Sequence, residues 1–165
     1  MLTATVRTAR RDDCQAINDI LNYYVANSTA TFITEPQTLD ERFDWFDGRG
    51  EVHPVVVAEI GDQIVGWAAL SPFRARAAYS RTAEAGVYVH HEFHRRGIGR
   101  LLIEELLERG RVSGLHVIIG GCCHESTASY ALLEACGFRQ VARFHEVGFK
   151  FGRWLDVIFL ERILE

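Results

Sequence analysis

Three arginines and two glycines occupy Tyr88-Val89-His90-His91-Glu92-Phe93-His94-Arg95-Arg96-Gly97-Ile98-Gly99-Arg100-Leu101-Leu102, where a β-branched, aromatic strand runs into an amphipathic helix. That order suits anion capture. A turn opening directly into a helix can aim several unpaired backbone N–H groups and the positive helix end at one point. Arg95, Arg96 and Arg100 stand beside that point, and the glycines let backbone come close to a ligand. A pyrophosphate fits such a turn. Gly97-Ile98-Gly99 lacks the third spaced glycine of a dinucleotide fold, and no Gly-Lys-Ser/Thr follows. An arginine-rich surface turn is the ordinary reading of the same residues taken alone.

Other residues with chemistry to offer lie upstream. Glu84, in Arg81-Thr82-Ala83-Glu84-Ala85-Gly86, precedes the strand that leads to this turn. It reads on its own as a solvated strand-start glutamate. Arg74 and Arg76 stand in a loop, and their planar forks suit bidentate binding of carboxylate-like groups. Phe32 is an aromatic in an otherwise polar loop and reads equally as a pocket wall or a core anchor. Tyr79 and Lys150 are candidates of the same kind. Cys14, Cys122, Cys123 and Cys136 show no Cys-x-x-Cys spacing, and His90, His91, His94 and His116 form no ligand set by spacing, so no metal is expected. The cysteines are expected as buried or partly buried thiols.

The chain has 165 residues, 48% apolar and 24% charged, with a net charge of −4. It fits one domain spanning 1–165, of ordinary globular composition. An acidic balance disfavours nucleic acid as a partner. No apolar run approaches the roughly 20 residues of a membrane span, so a cytoplasmic, disulfide-free protein is expected.

The elements needed to hold these residues follow from local pattern. Thr5–Thr8 alternates as a first strand. Asp12 is placed to cap a helix carrying Ile17, Ile20, Leu21 and Tyr24 on one face, and Thr38-Leu39-Asp40-Glu41 is a capping box for a second. Residues 27–36 form a loop. Strands at 54–60 and 63–70 flank Gly61-Asp62, a hairpin signal. A loop over 71–81 leads to a strand at 82–90 and a helix from near Ile98. A buried strand at 116–119 precedes a helix begun by Ser126 or Thr127 and stopped by Gly137. Two final strands occupy 138–146 and 153–160. The order β-α-α-β-β-β-α-β-α-β-β predicts an α/β (α+β) fold, a mixed, largely antiparallel sheet of six to seven strands with helices on both faces.

This order, with the turn His94-Arg95-Arg96-Gly97-Ile98-Gly99 after the fourth strand, resembles the GCN5-related N-acetyltransferase (GNAT) superfamily. His94 departs from the Gln or Arg usual at the first position. Ser28-Thr29-Ala30-Thr31-Phe32-Ile33-Thr34-Glu35-Pro36, Pro72-Phe73-Arg74-Ala75-Arg76-Ala77-Ala78-Tyr79 and Val147-Gly148-Phe149-Lys150-Phe151-Gly152-Arg153-Trp154-Leu155-Asp156 resemble its phosphinothricin acetyltransferase group, whose members also take methionine sulfoximine and methionine sulfone. The resemblance implies acetyl-CoA as co-substrate. Its pyrophosphate would sit at residues 95–100, its pantetheine arm along Val87, Tyr88 and Val89, with Ser126 where the family often has an asparagine touching that arm. Helix capping accounts for Ser126 equally well.

The resemblance also makes Glu84 the general base that takes the proton of the amine. A backbone N–H of Val87 or Tyr88 would stabilise the oxyanion. Arg74 becomes the arginine for the acid end of the substrate, with Arg76, Phe32 and Tyr79 beside it. Many family members carry a tyrosine as general acid where this chain has Leu133, and Tyr130 lies one turn earlier, so none is assigned and solvent is left to protonate the thiolate. Homodimerisation through the final strands, with their cluster Phe149, Phe151 and Trp154, is implied in the same way. Two alternatives stay open: another amine acceptor (a protein N-terminus, a polyamine or an aminoglycoside), or an acyl-CoA-binding module without turnover.

Overall fold

The computed structural model describes residues 3–165. Its elements are β1 (Thr5–Thr8), α1 (Cys14–Asn27), α2 (Leu39–Asp47), β2 (Val55–Ile60), β3 (Gln63–Pro72), β4 (Thr82–Val89), α3 (Ile98–Val112), β5 (Val117–Cys123), α4 (Thr127–Ala135), β6 (Arg139–Lys150) and β7 (Arg153–Ile163), with single 3-10 turns at 11–13, 77–79 and 91–93. The expected order holds. The seven strands form one sheet in the order β1-β2-β3-β4-β5-β7-β6. Of the neighbouring pairs, β4–β5 is parallel and the rest are antiparallel.

Strand alternation sorts the core into two layers. Val56 and Ala58 of β2 and Ala68 and Leu70 of β3 pack on α3 with Leu102, Ile103 and Leu106. Val55, Val57, Trp67 and Ala69 face the other way, onto Ile17, Leu21 and Val25 of α1. Strands covered on both faces read as near-continuous apolar runs, as here. Among the described residues no helix is long and apolar enough to cross a membrane.

The β4–β5 pair decides the rest of the architecture. It joins Thr82–Ala85 to Val117–Gly120 and then stops. Beyond Ala85, β4 continues along β3 alone, as far as Val89 opposite Gly66. β5 meanwhile turns its far end to β7, Cys123 opposite Val157. The sheet therefore opens into a wedge between two of its own strands.

Some local expectations are corrected. Asp13, not Asp12, organises the start of α1: its carboxylate accepts the Arg10 N–H at 2.6 Å and pairs with Arg7 at 2.8 and 3.0 Å. Burial pushes the Asp13 carboxyl up, but those partners outweigh it and hold it below its ordinary value. β5 runs on through Gly120 and Gly121, which leave room for Leu133 and Phe159; a Cβ on Gly120 would lie 2.7 Å from Leu133 Cδ1. β6 and β7 are longer than the pattern suggests. β6 survives a register break between Phe144 and Gly148. Glu146 sits there at φ 53, and Asp156 of β7 accepts its N–H at 2.9 Å. The connection Phe151-Gly152 has both residues at positive φ, 53 and 74, which matches the twist of a tight hairpin.

Candidate functional site

The wedge holds two cavities, of about 910 and 490 Å3. They adjoin, sharing Thr29, Ala30, Val87, Tyr88, Ser126 and Ser129 in their linings.

The larger cleft runs along the free end of β4 to the N-terminus of α3. Gly97 is the helix N-cap at φ 77, a conformation that disfavours any residue with a Cβ. The first bond of α3 runs from Leu101 N–H to Gly97 C=O at 3.1 Å. The amides of Ile98, Gly99 and Arg100 precede it and have no intrahelical acceptor, and all three residues line the cleft. Gly99 has a second reason to be glycine: a Cβ there would lie 2.9 Å from Leu132 Cδ2, so it sets the contact of α3 with α4.

The arginines separate. Arg95, itself at φ 60, lines the cleft. Arg100 lines it too and bonds Glu104 at 2.7 Å. Arg96 lies over the Phe93 ring, 4.8 Å from its centroid, outside the lining. A cleft of this length, with free amides and two cations at one end and unpaired strand backbone at the other, fits the pyrophosphate and the amide-bearing arm of acetyl-CoA.

The smaller cavity contains Glu84 and Phe32, with Leu133, Cys122, Cys123 and Phe159 among its apolar walls. Glu84 is opposite Ser71 of β3 and Ile119 of β5, at the throat of the wedge. Among the described residues no cation or hydrogen-bond donor side chain meets its carboxylate. Burial pushes its pKa up from the ordinary carboxylate value, because a charged oxygen loses its hydration there. An otherwise unpaired carboxylate of this kind is suited to taking a proton.

Arg74, Arg76 and Tyr79 are not brought into that cavity. All three are exposed. Arg74 lies 5.1 Å from the Phe73 ring centroid, and Tyr79 packs edge-on against the same ring. They sit on the loop that follows Ser71, which does line the cavity. Lys150 is buried and turned elsewhere, onto backbone carbonyls of residues 24–31. Leu133 occupies the cavity wall, and Tyr130 lines neither cavity.

His90, His91 and Glu92 bring ligand atoms within 4.8 Å of one another, a grouping that spacing did not suggest. The two rings are stacked, 4.5 Å apart at 19°, so their in-plane lone pairs do not converge on one ion. His90 Nδ1 also accepts the Glu92 N–H at 3.3 Å. The four cysteines are buried free thiols.

The segment 28–31, the start of a stretch that resembles the phosphinothricin acetyltransferase group, forms one side of both cavities. The hydroxyl of Tyr24 donates to the Val89 carbonyl and lies 2.6 Å from His94 Nε2, tying α1 to the end of β4 and the turn. Burial pushes the Tyr24 pKa up to about 12, so this hydroxyl stays protonated. Glu125 bridges Thr29 at 3.3 Å and Arg153 at 2.9 Å beside the cleft. Of these side chains, the sequence pattern places Tyr24 only on the apolar face of a helix and does not single out Glu125.

The sequence model of the Acetyltransferase (GNAT) family matches residues 17–138. A phosphinothricin N-acetyltransferase of Streptomyces coelicolor is 38% identical, the match covering 96% of this chain and 95% of that one. An L-methionine sulfoximine/L-methionine sulfone acetyltransferase of Salmonella typhimurium is 34% identical over 98% of this chain and 95% of its own. A GNAT-superfamily phosphinothricin acetyltransferase of Sinorhizobium meliloti, solved in complex with acetyl-CoA, superposes with a TM-score of 0.94 at 35% identity, covering 98% of this chain and 89% of that one. With the split sheet, the glycine turn and a family match over most of its length, the chain belongs to the GNAT acetyltransferase family.

Proposed function

We propose that the protein transfers an acetyl group from acetyl-CoA to the α-amino group of phosphinothricin-like amino acids: phosphinothricin, methionine sulfoximine and methionine sulfone. The observation that carries the reading is Glu84, half-buried and without a charged partner, in the smaller cavity that adjoins the cleft. The named relatives act on these amino acids. Acetyl-CoA supplies the activated acyl group as a thioester. The amides of Ile98, Gly99 and Arg100, with the Arg95 and Arg100 guanidiniums, hold its pyrophosphate; Arg96 and Gly97 shape the turn. The backbone of Val87, Tyr88 and Val89, unpaired on its β5 side, receives the pantetheine arm, and Ser126 borders it.

An ammonium has no lone pair for attack, so the acceptor must lose a proton first. Glu84 takes it, directly or through one water, and its raised pKa makes it a better base than an ordinary carboxylate. A backbone N–H of Val87 or Tyr88 steadies the negative charge on the acyl oxygen. Phe32 walls the acceptor. Arg74 and Arg76 form no salt bridge among the described residues, and their loop supplies the cation for the acid end of the acceptor. The cavity lining itself holds Glu84 and no cation, which is the one feature that favours a cationic amine as acceptor. The amine nitrogen bonds to the acyl carbon, the C–S bond breaks, and the departing CoA thiolate is protonated by solvent; no tyrosine hydroxyl is assigned as general acid.

We place the protein in the cytoplasm, where its four buried thiols stay reduced. It acts as a homodimer: β6 is an edge strand, and Val147, Phe149 and Trp154 on the hairpin are 57, 55 and 62% exposed. Exposed apolar and aromatic side chains beside a sheet edge make a pairing surface.

Five outcomes are expected. Mass spectrometry after incubation with acetyl-CoA detects acetylated phosphinothricin, methionine sulfoximine or methionine sulfone; acetylation of spermidine or an N-terminal peptide instead would replace this acceptor class. Glu84→Gln lowers kcat by about tenfold or more near neutral pH, leaves acetyl-CoA affinity nearly unchanged and abolishes the fall in rate on acidification; unchanged turnover would remove Glu84 as base. The same variant raises thermal stability at pH 8 but not near pH 4. Burial makes the folded protein hold this proton more tightly than the unfolded chain, so the wild type loses stability as pH rises from the ordinary carboxylate value to the raised one. Arg74→Ala raises KM for the amino acid about tenfold, with KM for acetyl-CoA little altered; equal effects on both would make Arg74 structural. Light scattering finds twice the chain mass, and Trp154→Asp shifts it towards the single chain.

A further inference from the structure

Alternate residues of β6 face opposite ways. Val147 and Phe149 face solvent, whereas Gly148 and Lys150 are buried. Neither buried residue lines a cavity, yet both press on the segment that does.

Lys150 Nζ donates to the carbonyls of Ser28 at 2.7 Å and Thr31 at 2.8 Å, and reaches that of Tyr24 at 3.5 Å. It is 4% exposed, and no carboxylate pairs with it among the described residues. Its charge is balanced by carbonyl dipoles, including one from the last turns of α1, where a cation is favoured. Three donors meeting three acceptors is the full capacity of an ammonium. Removing them would leave buried carbonyls unsatisfied. The bonds fix Ser28 and Thr31, which bracket Thr29 and Ala30 at the junction of the two cavities.

At Gly148 the constraint is steric. A Cβ there would lie 2.2 Å from Phe32 Cε2 and 2.7 Å from Cζ. The ring of Phe32, a wall of the smaller cavity, therefore lies directly on the β6 backbone. Any side chain at 148 must drive that ring off the strand.

We infer that β6 sets the acceptor cavity from behind: Gly148 determines acceptor specificity by seating the Phe32 ring, and Lys150 is the positioning residue for the segment 28–31. This rests on reading the smaller cavity as the acceptor site. The two residues have separable signatures, because Phe32 borders only the smaller cavity whereas Thr29 and Ala30 border both.

The test combines kinetics with a measurement that needs no turnover. Gly148→Ala is expected to lower kcat/KM for methionine sulfone and phosphinothricin about tenfold or more, within the range that repacking a pocket wall produces. Its acetyl-CoA affinity by calorimetry stays within about twofold. Phe32→Ala, which removes the wall, lowers kcat/KM by itself, and adding Gly148→Ala to it costs little more, as coupled neighbours require. An unchanged kcat/KM in Gly148→Ala, or a Gly148→Ala effect as large on the Phe32→Ala background as on the wild type, overturns the specificity role. The Phe32→Ala background also serves if Gly148→Ala alone folds poorly. Lys150→Met is expected to speed hydrogen exchange at residues 28–33 and to raise KM for both substrates. Unchanged exchange there overturns the positioning role. Failure of the wild type to acetylate either amino acid overturns the functional reading instead, while the exchange result still decides the role of Lys150.

Discussion

The parallel pairing of β4 with β5 ends at Ala85 and Gly120, and the rest of the site depends on that ending. Continued pairing would satisfy the backbone of residues 86–89 within the sheet and close both cavities. The divergence leaves strand backbone available to a ligand at the centre of the sheet, where the covering layers exclude water. A strand edge is ordinarily peripheral; here one is made internal. Glu84 lies within the last paired residues, so the carboxylate marks the point where the sheet divides.

The electrostatics follow from the same division. Cationic and amide groups gather at the far end of β4, where the helix terminus adds to them. Glu84 is at the near end, away from those arginines. A guanidinium beside it would lower its pKa, as Arg7 does for Asp13 against the effect of burial, and would make it a weaker base. Its elevated pKa reflects burial. In the function proposed above, donor capture and proton transfer call for opposite environments, and the length of one strand separates them.

Features set by neighbours in sequence were legible. Thr38 and Glu41 form the capping box their spacing implies, Gly137 ends α4 at φ 80, and Gly61-Asp62 joins β2 to β3. Features set by distant partners were not. Gly120, Gly121 and Gly148 lie outside the expected strands at 116–119 and 138–146, yet each lies in a strand, with a side chain from elsewhere in the space above it. Lys150 carried no sign of its partners, which precede it by more than a hundred residues. The second glycine of the turn was read as admitting a ligand, whereas it also admits Leu132. The family resemblance singled out Glu84, which lines the smaller cavity, while local pattern alone made it an ordinary surface residue. Arg74 and Arg76 show the reverse: a motif identified the loop but could not say how close it lies to the cavity.

The two ends of the sheet are unlike. β1 has only four residues, and its Arg7 is engaged by both Asp13 and Glu59. β6 has twelve and carries the exposed aromatics. Head-to-tail growth of a fibre needs two receptive edges, one to add and one to be added to. With only one such edge, association through the sheet saturates when two like ends meet. In the dimer proposed above, the asymmetry that gives β6 its partner therefore also limits how far such pairing can propagate.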